Sequence, residues 1–187
     1  MQNIFIGLSA LVALIVLYII VTYNGLVRLR QMVREAWSGI DVQLKRRTDL
    51  IPNLIETVKG YAAHEKDTLR DVTEMRTKAQ AVPAENVAGR AAAEGLLGQA
   101  LGRLMAVAEA YPDLKANEGF CDLQASLATI EGEIQMARRY YNGATRELNV
   151  KVESFPSNMI AGRFGFAQGA YFELEDPNER AVPKVAF

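Results

Sequence analysis

Between Ile4 and Val21 the chain runs for 18 residues without a charge, and Ser9 and Tyr18 are the only polar side chains in that stretch. Every charged residue lies after it. Few folds accept such a segment. At about 1.5 Å per residue, and extended by Thr22 to Val27, it is long enough to cross a hydrocarbon core of about 30 Å. A buried helix of a small soluble bundle would keep a polar face, which this segment lacks. A signal peptide would have a basic start and a small-residue cleavage site. Met1-Gln2-Asn3 contains no basic residue, and Thr22-Tyr23-Asn24-Gly25 has no Ala-x-Ala pattern. The expected element is an uncleaved transmembrane anchor over residues 1–25.

The flanks predict its direction. Arg28, Arg30 and Arg34 follow the apolar stretch, then Lys45, Arg46 and Arg47, and no Lys or Arg precedes it. By the positive-inside rule the large C-terminal part faces the cytoplasm and the three-residue N-terminus lies outside. Tyr18 and Tyr23 suit the aromatic belt at the inner boundary, and the first arginines suit anionic headgroups or, equally, a solvated helix face.

The remainder reads as long helices, with little that resembles a strand. Leu26, Leu29, Val33, Ala36, Ile40 and Leu44 recur at spacings of three and four, the signature of an apolar helical stripe. At Asp49-Leu-Ile-Pro52 either a new helix starts, with Asp49 as cap, or one long helix kinks. The stripe resumes at Ile51 and continues through Ile55, Val58, Ala62, Leu69 and Val72 up to Pro83. A second segment, about Ala84 to Ala110, carries Leu97, Leu101, Leu104 and Ala108 on a narrow apolar face. Its glycines Gly89, Gly95, Gly98 and Gly102 each cost about 1 kcal/mol of helix propensity, so close helix approach is the expected reason for them.

The third segment has the clearest period. Phe120, Leu127, Ile134, Tyr141, Leu148 and Phe155 are spaced by seven, with Leu123, Ile130, Ala137 and Ala144 as a companion row. That is a helix of about 50 Å with a coiled-coil-like seam, able to pack on its own chain or on another copy. Ser157 is placed to cap a short helix ending near Phe164. The aromatic, Gly-rich stretch holding Phe164, Phe166, Tyr171 and Phe172 either folds back as core or forms a docking segment. The predicted fold is all-α: an N-terminal transmembrane helix, then an antiparallel bundle of three to four long helices over residues 26–172 with a short C-terminal helix. Residues 173–187, with Pro177 and Pro183, are expected to form a loosely ordered extended tail.

The residues also resemble a family. The run Ala36-Trp-Ser-Gly-Ile-Asp-Val-Gln-Leu-Lys-Arg-Arg-Thr-Asp-Leu-Ile-Pro-Asn-Leu54 is similar to a block of the LemA family of bacterial membrane-anchored proteins. Val58-Lys-Gly-Tyr61, Ala110-Tyr-Pro-Asp-Leu-Lys-Ala-Asn117, Phe120, Leu123-Gln124, Glu131, Ile134, Ala137-Arg138, Tyr141-Asn142 and Phe155-Pro156 continue the likeness. The resemblance implies an N-terminal anchor and a helical cytoplasmic domain, in the bacterial cytoplasmic membrane or an internal membrane derived from it. A magnetosome branch of the family implies work in building an internal membrane. Other members, encoded beside membrane metalloproteases of the HtpX type, imply quality control. Neither association assigns chemistry to a residue.

Composition narrows the chemistry further. One Cys, one His and a formal net charge of -1 exclude a disulfide framework and a Cys/His zinc site, and argue against a general nucleic-acid binder. A di-iron bundle needs Glu-x-x-His pairs, but the residue three before His64 is Tyr61. His64 then reads as a polar side chain of the second helical stretch. Cys121 beside Asp122 reads as a small buried residue or an inert surface thiol. No phosphate-binding glycine loop is present. No catalytic residue, metal, cofactor, nucleic acid or small-molecule substrate is expected. The expected partners are the lipid bilayer, further copies of the chain, and another membrane protein as an alternative.

One polar cluster stands out: Asp41, Lys45, Arg46, Arg47, Asp49 and Asn53. Arg47 falls seven residues after Ile40, on a row otherwise apolar, so it must pair, reach solvent or serve an interface. Asp49 and Asp113 are its expected partners if the two chain breaks share one end of the bundle. The candidate interface residues are Trp37, Asp41, Arg46, Arg47, Asp49, Asn53, Asp113, Phe164, Phe166, Tyr171 and Phe172.

Overall fold

The computed structural model describes residues 1–173 and is helical, with no strand among them. Six helices follow in order: α1 (Gln2–Tyr61), α2 (Lys66–Ala81), α3 (Val87–Ala108), α4 (Pro112–Lys115), α5 (Glu118–Glu153) and α6 (Ser157–Arg163). The chain forms two compact units, one of residues 1–38 with 139–170, the other of residues 39–138 with the described residues from Tyr171.

In the second unit the apolar rows meet in one core. Ile51, Leu54 and Val58 of α1 pack with Leu69, Val72 and Ala79 of α2, Leu97, Ala100, Leu101 and Leu104 of α3, and Phe120 and Leu127 of α5. Cross-links order the helices. Arg76 reaches Thr48, and Arg103 pairs with Asp71. Successive helices therefore run antiparallel, as the short turns require. Asn86 caps α3 by accepting from the Gly89 amide at 2.9 Å, and Asn117 caps α5 by accepting from the Phe120 amide at 2.9 Å.

Here one open alternative is decided, at Pro52, and two sequence expectations change. Helix α1 passes through Pro52 without ending, so Asp49 does not cap a new helix. Proline removes the amide that would bond the carbonyl four residues back. That carbonyl belongs to Thr48, and it accepts instead from Arg76 Nε at 3.0 Å. The first change is a break at Ala62–Glu65 between α1 and α2, where the stripe had read as continuous. Ala62 to Leu69 keeps the seven-residue phase across a turn that contains neither Pro nor Gly, so periodicity does not reveal it. The second concerns Gly98 and Gly102. A methyl group built at either would meet nothing within 4 Å. They line an open groove of about 340 Å³ with Leu101, Met105, Gln124 and Leu127, and do not mark a close helix contact.

The first unit contains the apolar stretch and the second half of α5. Leu26 of α1, Leu148 of α5, Ile160 and Ala161 of α6, and Phe166 form its core, with Val33 and Val152 alongside. Helix α6 ends in a left-handed turn at Gly165, φ 70°. Phe164 donates its amide to Ile160 and Phe166 donates to Ala161, a Schellman-type termination that turns Phe166 inward. Ser157 does not cap α6. Its hydroxyl donates back to the carbonyls of Lys151 and Ser154.

Beyond Gly165 the chain runs back along α5. Gln168 donates to Glu153 at 2.6 Å, the Asn149 amide group both donates to and accepts from the Gly169 backbone, and the Tyr141 hydroxyl donates to Ala170 at 2.8 Å. Gly169 lies so close that a Cβ there would stand 3.1 Å from the Thr145 methyl.

Candidate functional site

Glu94 is fully buried in the second unit, and both of its carboxylate oxygens are taken. Arg47 Nη2 donates to Oε2, and Arg90 Nε donates to Oε1 at 3.1 Å. The other Arg47 nitrogen, Nη1, donates to Glu131 Oε1 at 2.6 Å. Arg90 also reaches Asp41 Oδ1 at 3.3 Å and the Val82 carbonyl at 3.3 Å. On the surface beside them Arg46 pairs with Glu133 at 2.6 Å and with Gln43 at 2.9 Å. Three helices, α1, α3 and α5, are thus tied through one buried charge layer.

Arg47 is 4% exposed and Glu94 0%. At such burial an unpaired charge is prohibitive, while a matched one with extra hydrogen bonds is tolerated. Burial works against the charged form of Arg47, but Glu131 and then Glu94 outweigh it and hold the guanidinium above its ordinary range. Asp49 and Asp113 are not its partners. Both are exposed, and the acids that meet Arg47 come from α3 and α5.

The sequence carried a signal for Glu94 and Arg90 that spacing alone makes visible. They stand seven residues before Leu101 and Leu97, on the same inward row of α3, as Arg47 stands seven after Ile40. They are also four apart, the spacing of an intrahelical ion pair. Glu131 appears in the sequence only as part of the family likeness.

The remaining candidates divide by location. Trp37 is half-buried, with its ring 5.4 Å from that of Tyr141. Asp49 and Arg46 line a surface groove of about 400 Å³ with Leu50, Ser126, Thr129 and Ile130. Asn53 and Asp113 are exposed. Phe166 is buried beneath the Arg30 guanidinium, 4.8 Å from the ring centroid, and Phe172 is fully buried. Phe164 and Tyr171 stay exposed, so the aromatic stretch is part core and part surface.

His64 lies exposed in the turn between α1 and α2, outside any helix. Cys121 is exposed and donates to the Lys115 carbonyl. Among the described residues no group of three His, Cys, Asp or Glu gathers as a metal site. At one end of the second unit Tyr111 donates to Glu65 at 3.0 Å, and Asn117 donates to Tyr61 at 3.1 Å. The bond to Glu65 raises the Tyr111 pKa.

Asp41 and Arg47 of the layer, Glu131 and the Asn117 cap fall among the residues that resembled a known family, and a wider match decides the point. The LemA family profile matches residues 36–187. The chain belongs to the LemA family. Magnetosome protein MamQ 2 of Paramagnetospirillum magneticum is 27% identical to this LemA-family chain over 88% of its length and 69% of the relative. Magnetosome protein MamQ of Magnetospirillum gryphiswaldense is 26% identical over 95% and 74% of the two chains, and Protein LemA of Metamycoplasma hominis 26% over 82% and 69%. Helix α1 is long and apolar enough near its start to cross a membrane, and that part is not buried in the protein. Together with these relatives it suggests a membrane-associated helical protein.

Proposed function

We propose that the chain is a single-pass, membrane-anchored helical scaffold that assembles with copies of itself and works in membrane organisation or membrane-protein quality control. The observation that carries this is the exposed apolar start of α1, continuous with a folded helical unit. A stretch of 18 uncharged, mostly apolar residues exposed on one helix favours a hydrocarbon surround. The arginines after the stretch support a cytoplasmic side for the folded part, in the bacterial cytoplasmic membrane or one derived from it. The names of the magnetosome relatives support a role in an internal membrane.

Self-assembly has to use surfaces other than the heptad seam, because Phe120, Leu127 and Leu148 are buried in cores of their own chain. Val42, Leu96 and Met136 remain exposed, as do the candidate contacts Arg46, Asp49, Asn53 and Asp113. The test is the native mass of the full-length protein in a gentle detergent. A particle of several copies is the expected result, and a monomer with intact helicity would overturn the scaffold.

A second reading is an adaptor or regulator of a membrane partner such as a metalloprotease of the HtpX type. A groove of about 770 Å³ favours it, lined by Ile55, Lys59 and Ala63 on one side and Leu69, Thr73 and Thr77 on the other. This reading expects a second protein in fixed ratio in the same preparation.

A further inference from the structure

The α5–α6 elbow carries three large apolar side chains that its own chain does not cover. Phe155 is 79% exposed, Met159 67% and Phe164 51%. All three fall within ten residues, while Ile160 and Ala161 between them pack inward. Two separate contacts set the height of this elbow on α1. Phe155 and Pro156 share a groove with Tyr18, which belongs to the apolar stretch. At the other end of α6 the Phe164 ring lies edge-on to Tyr23, 5.0 Å between centroids. Both ends of the elbow therefore stand beside residues 18–23, where the apolar stretch gives way to polar sequence.

The charge around it is one-sided. Residues 1–38 and 139–170 hold seven basic side chains against three acidic ones, a net of +4 in a chain whose total is -1. Arg146 and Lys151 line the groove with Tyr18 and Phe155, together with Glu147, and Arg163 is exposed at the end of α6. Aromatic and thioether side chains ringed by Arg and Lys make up the composition of elements that lie in the headgroup region of anionic membranes.

We propose that the α5–α6 elbow is a second membrane contact. Phe155, Met159 and Phe164 seat at the headgroup–acyl boundary of the leaflet through which α1 leaves the bilayer, and Arg146, Lys151 and Arg163 meet anionic headgroups. This rests on the reading of α1 as a membrane span. A single span leaves a protein free to rotate about its axis. A second contact fixes one azimuth, so each copy presents the same side to its neighbours, which a membrane scaffold needs.

The test uses full-length protein with Cys121→Ser, carrying Met159→Cys, Phe155→Cys or, as reference, Ile15→Cys, labelled with a polarity-sensitive fluorophore. These sites are exposed, so the substitutions leave the cores intact. In vesicles of phosphatidylcholine and phosphatidylglycerol with brominated acyl chains, labels at 159 and 155 lose most of their emission, as does the label at 15. If 15 is quenched while 159 and 155 are not, the elbow is overturned and the span stands. If none is quenched, the span reading fails and the elbow with it. Cross-linking between copies through position 159 without quenching means that a second copy covers the elbow, which also overturns the proposal. In phosphatidylcholine alone quenching at 159 weakens. Equal quenching in both membranes overturns the role given to the basic residues.

Discussion

Arg76 Nε donates to the Thr48 carbonyl at 3.0 Å, the carbonyl that Pro52 leaves without a helical partner. A buried acceptor stripped of its donor costs about 1–3 kcal/mol. Arg76→Met should destabilise the second unit by about that amount, read by urea unfolding of the full-length protein in detergent. Pro52→Ala restores the amide at position 52, so Arg76→Met should cost less in that background. Additive effects in the double-mutant cycle would show that the two residues do not share this carbonyl.

The Arg47–Glu94 pair should behave as a matched buried charge. Glu94→Ala leaves buried Arg47 with Glu131 alone and takes one partner from Arg90, and should cost up to about 3–5 kcal/mol. Replacing both, Arg47→Met with Glu94→Leu, should recover most of that loss, because Arg90 keeps Asp41 and Glu131 is partly exposed. A double variant no more stable than Glu94→Ala would mean that the layer supplies more than charge balance.

Gly98 and Gly102 sit in a helix with open space where a side chain would be. Gly98→Ala and Gly102→Ala should each stabilise the protein by about 1 kcal/mol, seen as a higher unfolding midpoint in the same assay. A lower midpoint would show that the groove closes on those positions in the assembled protein.

Burial raises the Tyr141 pKa, and the neighbouring Thr145 hydroxyl offsets part of it. A tyrosine whose folded pKa lies above its unfolded value near 10 contributes stability that is present below that pH and lost as the pH rises through the folded value. Unfolding midpoints should therefore fall above about pH 10. Tyr141→Phe should remove that part of the alkaline loss while giving up its bond to Ala170, about 1 kcal/mol at neutral pH. An unchanged alkaline slope in the variant would assign the loss to other groups.

Along α5 the row of Phe120, Leu127, Ile134, Tyr141 and Leu148 was readable from spacing, and all five are buried. Phe155 continues the count but not the burial, because α5 ends at Glu153 and the row ends with it. The apolar start of α1 and the helical class were legible for the same reason: apolar character and period three to four are properties of neighbouring residues. Arg47 could be marked as out of place on its row, but its partners could not be named. Asp49 is two residues away and Glu94 is forty-seven, and only the packing of α1 against α3 makes the distant acid the near one. The same holds for Pro52, whose helix survives because α2 brings Arg76 to Thr48. Periodicity fixes which side of a helix faces inward, whereas the pairing of buried polar groups depends on the register between helices, which exists only once they are packed.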